Sequence, residues 1–314
     1  MKILIYGAGI QGSYLAYALN KNKQNEVFVL ARNKRKEILD QQGLKLAHII
    51  QRKTTTDHLK TVATLKKFDY CDLIFVTMKY NDFPTIIEPI AENNSKNIVF
   101  VGNQMDTEDL KAKILAINPD KNILFGFQNT GGTREPDLIK ILRFNQGKMK
   151  INCPAEDVKT KQLFDDCFAN TGYKWLAYPA LDQWLKSHAA LIVVMNSLDY
   201  YYGNDLKQIR KANELLLVTG KAYQEIFAIL EDNGYPILPK AQKRLFSNAH
   251  VTKFLFKMIY ATPIMQSAEG DYGEIKGLAD SFAKFKMQSG TPAPNLDHLV
   301  ALATKKYLAS KAAV

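Results

Sequence analysis

The chain has 314 residues, 46% hydrophobic and 11% aromatic, enough for a sizeable core and, at roughly 100–200 residues per domain, for two domains. Its net charge of +11 favours anionic small molecules, but the basic residues are scattered apart from short clusters at Arg32–Lys36 and Lys66–Lys67. No aromatic-interleaved basic stripe accompanies them, so nucleic acid is not an expected partner. Three cysteines (Cys71, Cys153, Cys167) without short spacing argue against a disulfide framework or a Cys-rich zinc site. The five histidines form no H-x3-H or H-E-x-x-H pattern, so no metal is expected.

In chain order, the apolar opening Ile3–Tyr6 is cut short by Gly7 and is expected to be a buried strand rather than a signal peptide. Further strand-like runs follow at "EVFVLA" (26–31), "DLIFVTM" (72–78), "NIVFVG" (97–102) and "NILFGF" (122–127). Segments of helical periodicity, such as Gly12–Asn20 and Asp82–Glu92, lie between them. That alternation, with strands apolar throughout, predicts a mostly parallel sheet covered on both faces. "LIKILRF" and "KMKINC", flanking "NQGK", predict an antiparallel hairpin at the sheet edge. After "YKWLAYPALD" only helices are expected, over 181–201, 206–232, 238–259, 272–288 and 295–309. The expected class is therefore α/β: an α/β domain over 1–177, then an all-helical domain over 178–314. No apolar run approaches the roughly 18 residues of a membrane span, so a cytoplasmic protein without a membrane partner is expected.

Gly7, Gly9 and Gly12, with Ile10 and Gln11 inside the loop, form G-x-G-x-x-G between the first strand and the first helix. The first glycine permits the tight turn, the second lets the backbone approach a pyrophosphate, and the third allows close helix–strand packing. The helix start adds N–H groups and the positive end of its dipole. A site for NAD would place Asp or Glu at the end of the second strand, against the ribose 2′-hydroxyl. Arg32 stands there, followed by Asn33, Lys34 and Arg35. A guanidinium binds a 2′-phosphate that a carboxylate would repel, so the expected cofactor is NADP(H).

These motifs, together with "LARN", "DLIFVTMKYND", "GNQMDTEDL", "WLKSHAA", "GEIKGL" and "TPAPNLDHLVAL", fall in an order that resembles the ketopantoate reductase (2-dehydropantoate 2-reductase) family over nearly the whole length. The resemblance implies a Rossmann-type dinucleotide-binding domain over 1–177 and an all-helical substrate and catalytic domain over 178–314, with the active site in the cleft and NADPH reducing a small 2-oxo acid. It also implies roles. Lys79 is similar to the lysine lining the cofactor site, and Asn103 to the asparagine near the nicotinamide. Lys186 is similar to the catalytic lysine, and Glu274 to the catalytic glutamate that contacts the substrate hydroxyl, beside the cofactor. Such chemistry needs a cation at the ketone oxygen, where hydride arrival builds negative charge. Lys186 suits it, set among Trp184, Leu185 and the apolar run that follows. Glu274 has a plainer alternative, a surface pair with Lys276.

The sequence departs from the family pattern at four places. The usual Asn-Gly is Asn103-Gln104, and Thr262 stands where serine is common, still able to donate a hydroxyl to substrate. The substrate-reaching asparagines four and eight residues after the lysine are Ala190 and Val194. At about 100° per residue both remain near the lysine's face, offset by roughly 40° and 80°. Three readings follow: a ketopantoate-type reductase, a reductase of the same architecture for a less polar 2-oxo acid, or a non-catalytic NADPH-binding sensor. A monomer or homodimer is compatible with each.

Overall fold

A computed structural model describes residues 1–262 and 272–312. The chain divides into two compact units, Met1–Gly102 with Asp106–Leu181, and Asn103–Met105 with Asp182–Val314. The first unit begins with β1 (Lys2–Tyr6), α1 (Ile10–Leu19), β2 (Glu26–Leu30) and α2 (Asn33–Gln42). Three strands follow, β3 (Leu44–His48), β4 (Lys53–Asp57) and β5 (Lys60–Val62), then β6 (Leu73–Val76), a 3-10 segment (Tyr80–Ile86) and α3 (Ile87–Glu92). Next come β7 (Asn97–Val101), α4 (Thr107–Ile117), β8 (Asn122–Gln128), β9 (Thr130–Arg134) and β10 (Leu138–Arg143). The unit closes with β11 (Lys148–Ile151), α5 (Val158–Phe168) and β12 (Lys174–Ala177).

These strands form two sheets. The larger has eight strands in the order β12-β11-β8-β7-β6-β1-β2-β5. From β5 to β8 every neighbour is parallel, with Ile3 of β1 between Val27 and Leu73. β11 joins antiparallel to β8 and parallel to β12. The smaller sheet, β4-β3-β10-β9, pairs β3 with β10 in parallel and has antiparallel edges. Helix α1 packs against strands of both sheets. This sandwiched position explains why Gly12–Leu19 is buried all round rather than along one stripe. Ile3, Ile5, Phe75 and Val99 join it in the core.

The hairpin expected from 138–153 does not form. β10 pairs with β9 and β3, whereas β11 pairs with β8 and β12, so consecutive strands belong to different sheets. The connection is committed elsewhere. Tyr14 on α1 donates a 2.6 Å hydrogen bond to the Gln146 carbonyl, and Gly147 lies against the Tyr173 ring at φ 91°, where a Cβ would come within 2.6 Å of that ring. A side chain does not fit there, and the turn is held between sheets instead of closing a ribbon.

The second unit is helical: α6 (Leu181–Tyr201, starting at the last residue of the first unit), α7 (Leu206–Lys211), α8 (Asn213–Asp232), α9 (Lys240–Phe246), α10 (Ala249–Ile259), α11 (Tyr272–Ser289) and α12 (Pro294–Ala312). Two helices expected to be continuous are broken. Ala212 leaves the helical region (ψ 63°) between α7 and α8, and Asn248 caps α10 by accepting from the His250 and Val251 N–H groups. No described helix is long and apolar enough to cross a membrane.

Candidate active site

The glycine loop joins the end of β1 to the start of α1, with Gly9 as N-cap and no side chain capping the first turn. Two of its glycines differ physically. A Cβ on Gly12 would lie 2.1 Å from the Gly7 carbonyl oxygen and 2.3 Å from Thr77 Oγ1, so the helix touches the sheet closely there. A Cβ on Gly9 would meet nothing within 4 Å. The loop therefore leaves an open approach to a helix start whose N–H groups have no side-chain cap, which suits a pyrophosphate. Ile10 and Gln11 form the partly buried first turn.

A cavity of about 210 Å³ opens at this loop, lined by Tyr6, Gly7 and Gly9 and by three arginines, Arg32, Arg35 and Arg134. No acidic side chain lines it among the described residues. Arg32, exposed at the N-cap of α2, donates to the Tyr6 hydroxyl at 3.1 Å. Arg35 donates to the Ala8 carbonyl at 3.3 Å and to Ser13 Oγ at 3.5 Å. Burial first, and then the neighbouring charge of Arg134, pulls the Arg35 guanidinium below its ordinary pKa. Lys79 lies just past β6, exposed at the N-cap of the 3-10 segment.

In the second unit, Lys186 on α6 is 2% exposed. Its ammonium donates to Asp182, one turn earlier, and stands 4.6 Å from the centre of the Tyr235 ring. The buried ammonium is thus held between a carboxylate and an aromatic face. Glu274, in the first turn of α11, accepts a 2.7 Å hydrogen bond from Asn103 Nδ2, and Asn103 Oδ1 is buried without a partner among the described residues. Lys276, the plainer partner suggested for Glu274, instead pairs with Asp280 at 2.5 Å. Gln104 is buried at 1% exposure. Ala190 and Val194 are fully buried on α6. Thr262 is exposed, its hydroxyl donating to the Ile259 carbonyl at 2.7 Å.

The structure thus brings Asn103 and Glu274 together and gives Lys186 a different carboxylate, Asp182. Sequence reasoning missed Asp182, Tyr235 and Arg134. Asp182 had a readable signal, the four-residue spacing of a helical ion pair. Arg134 had none, because only the pairing of β9 with β10 and its packing on α1 carry it to the glycine loop.

Residues 3–156 match the family model described as ketopantoate reductase PanE/ApbA. No curated protein matches the sequence. Among solved structures, the chain is similar to a D-mandelate dehydrogenase described with NADH and anilino(oxo)acetate (17% identity, TM-score 0.77, 98% of each chain covered). It is also similar to a PanE/ApbA family ketopantoate reductase from Ralstonia eutropha JMP134 (17% identity, TM-score 0.76, 98% of each chain). A third is the 2-dehydropantoate 2-reductase from Methylococcus capsulatus (19% identity, TM-score 0.69, 98% of this chain and 97% of that one).

Proposed function

With residues 3–156 belonging to the ketopantoate reductase PanE/ApbA family, we propose that this protein is an NADPH-dependent reductase of a 2-oxo acid. The observation that carries the proposal is the cavity at the glycine loop, bordered by three guanidiniums and by no carboxylate among the described residues. A ribose 2′-hydroxyl calls for an acid at that place, a 2′-phosphate for arginine. Gly7, Gly9, Ile10, Gln11 and Gly12 would hold the pyrophosphate, Arg32 the 2′-phosphate, and Lys79 would line the same site. When bound, the dinucleotide supplies the hydride.

The protein's own part is acid–base and electrostatic. Lys186 would donate a hydrogen bond, then a proton, to the ketone oxygen as negative charge develops on it. Asp182 and the Tyr235 ring support that role by holding the ammonium in place. Asn103 and Glu274 form a joined donor–acceptor pair suited to a substrate hydroxyl and to the carboxamide of the cofactor. A sensor that only binds NADPH has no need of the buried Lys186 ammonium, which favours the enzyme.

For the substrate we favour a 2-oxo acid less polar than ketopantoate. Ala190 and Val194 place a methyl and an isopropyl group where the family pattern has two amides, and Thr262 spends its hydroxyl on a main-chain carbonyl. The D-mandelate dehydrogenase of similar fold is described with an aromatic oxo acid, which agrees with this reading. NADPH consumption across a panel of 2-oxo acids tests the proposal. Branched or aromatic oxo acids are expected to give higher kcat/KM than ketopantoate. A clear advantage for ketopantoate would restore the ordinary family substrate, and no turnover with any oxo acid would favour the sensor.

A further inference from the structure

We propose that Arg134, carried by β9 of the smaller sheet, is a selectivity residue that grips a phosphate monoester on the adenosine half of the dinucleotide, opposite Arg32 and Arg35. The inference rests on the NADP(H) reading above and extends it to a strand outside the dinucleotide-binding sheet.

The glycine loop, the start of α2 and the end of β9 meet at the cavity, beside the ends of β2 and β6. Arg32 and Arg35 are already engaged within the protein, by Tyr6 and by Ala8 and Ser13 respectively. The Arg134 side chain makes no hydrogen bond or ion pair with another described residue, although it is near enough for its charge to act on Arg35. Three like charges gathered without a carboxylate repel one another, and a dianionic group with three acceptor oxygens relieves that repulsion. A neutral 2′-hydroxyl does not. Arg134 is also well anchored. Its backbone pairs with Ile139 across the β9–β10 ladder, and β9 packs against α1. The pyrophosphate has its own donors in the α1 start, leaving the third guanidinium to the monoester.

The test is direct binding, by fluorescence or calorimetric titration, of NADPH, NADH and adenosine 2′,5′-bisphosphate. Wild type, Arg134→Gln, Arg134→Lys and Arg32→Gln are compared, each first shown to be folded by its thermal transition. Losing one charge-assisted contact is expected to weaken NADPH and the bisphosphate about tenfold or more in Arg134→Gln. NADH should change by less than about twofold, because it lacks the monoester. Arg134→Lys should recover part of the loss. Equal weakening of NADPH and NADH would assign Arg134 to the pyrophosphate and overturn the proposal, as would no weakening. If Arg32→Gln erases an NADPH preference that Arg134→Gln leaves intact, only the role of Arg134 fails. Should wild type bind NADPH and NADH equally, the NADP(H) reading fails with it.

Discussion

Lys186 is a buried charge held by two neighbours. Its ammonium has almost no contact with water, so Asp182 and the Tyr235 ring replace its hydration. On the proposed role as proton donor at a ketone, Lys186→Ala should lower turnover by about 10²–10⁴. NADPH affinity should stay near normal, and near-normal turnover would mean that another group donates. Asp182→Asn gives a subtler result. Without the carboxylate the ammonium loses its fixed position, so kcat should fall while NADPH affinity holds, with partial rescue by Asp182→Glu. A loss of kcat that Asp182→Glu does not restore would reduce Asp182 to a packing role. Arg32→Asp belongs to the same scale. On the NADPH reading proposed above, putting a carboxylate at Arg32 should erase or invert a preference for NADPH over NADH, read from the two dissociation constants. Much at this scale was legible: a lysine among apolar residues and an arginine in place of an acid both stand out in the sequence. The Asn103–Glu274 contact was not, because 171 residues separate the partners and no local pattern joins them.

The βα turn at Gly7–Gly12 is where element and function separate most cleanly. Gly12 is tight against the Gly7 carbonyl and Thr77, whereas Gly9 faces open space with ordinary backbone angles. Gly12→Ala should therefore force the helix off the sheet, costing about 1–3 kcal/mol as overpacking does and lowering the thermal transition. Gly9→Ala should leave the transition almost unchanged yet weaken NADPH binding, since its methyl would enter the open approach proposed for the pyrophosphate. Parallel loss of stability in both variants would deny that division. The same contrast separates what the sequence revealed about elements from what it hid. The parallel strands and the long helix α6 follow from apolar runs and periodicity. The smaller sheet was invisible, because β4 is the polar run "KTTTD" and β3 pairs in parallel with the distant β10. Its absence from the reading also made β10 and β11 look like a hairpin.

Across the whole molecule, two buried titratable groups act on stability with opposite signs. Asp199 on α6 is 2% exposed, and burial pushes its carboxyl up to about 7, opposed by a hydrogen bond from the Tyr260 hydroxyl. Its unfolded counterpart ionises near 3.8, so between these values the unfolded chain binds fewer protons. The stability contributed by the neutral carboxyl is complete below about pH 4 and is lost as pH rises through about 7. His48 in the first unit is 1% exposed and is pulled down to about 4, by burial first and then by Arg143, whose Nε donates to its Nδ1 at 3.2 Å. Its contribution is complete above 6.5 and is lost as pH falls through about 4. Each effect is on the order of 3–4 kcal/mol over nearly the same window, so the wild-type curve alone conceals both. The informative measurement is the difference between wild type and Asp199→Asn, which keeps an oxygen for Tyr260 but cannot ionise. The variant should gain relative stability steadily from about pH 4 to about 7 and hold that gain above it. Denaturant midpoints for both proteins at pH 4, 5.5, 7 and 8.5 would show the trend, and a difference that stays constant with pH would mean that the Asp199 carboxyl ionises in the folded protein as readily as in the unfolded chain.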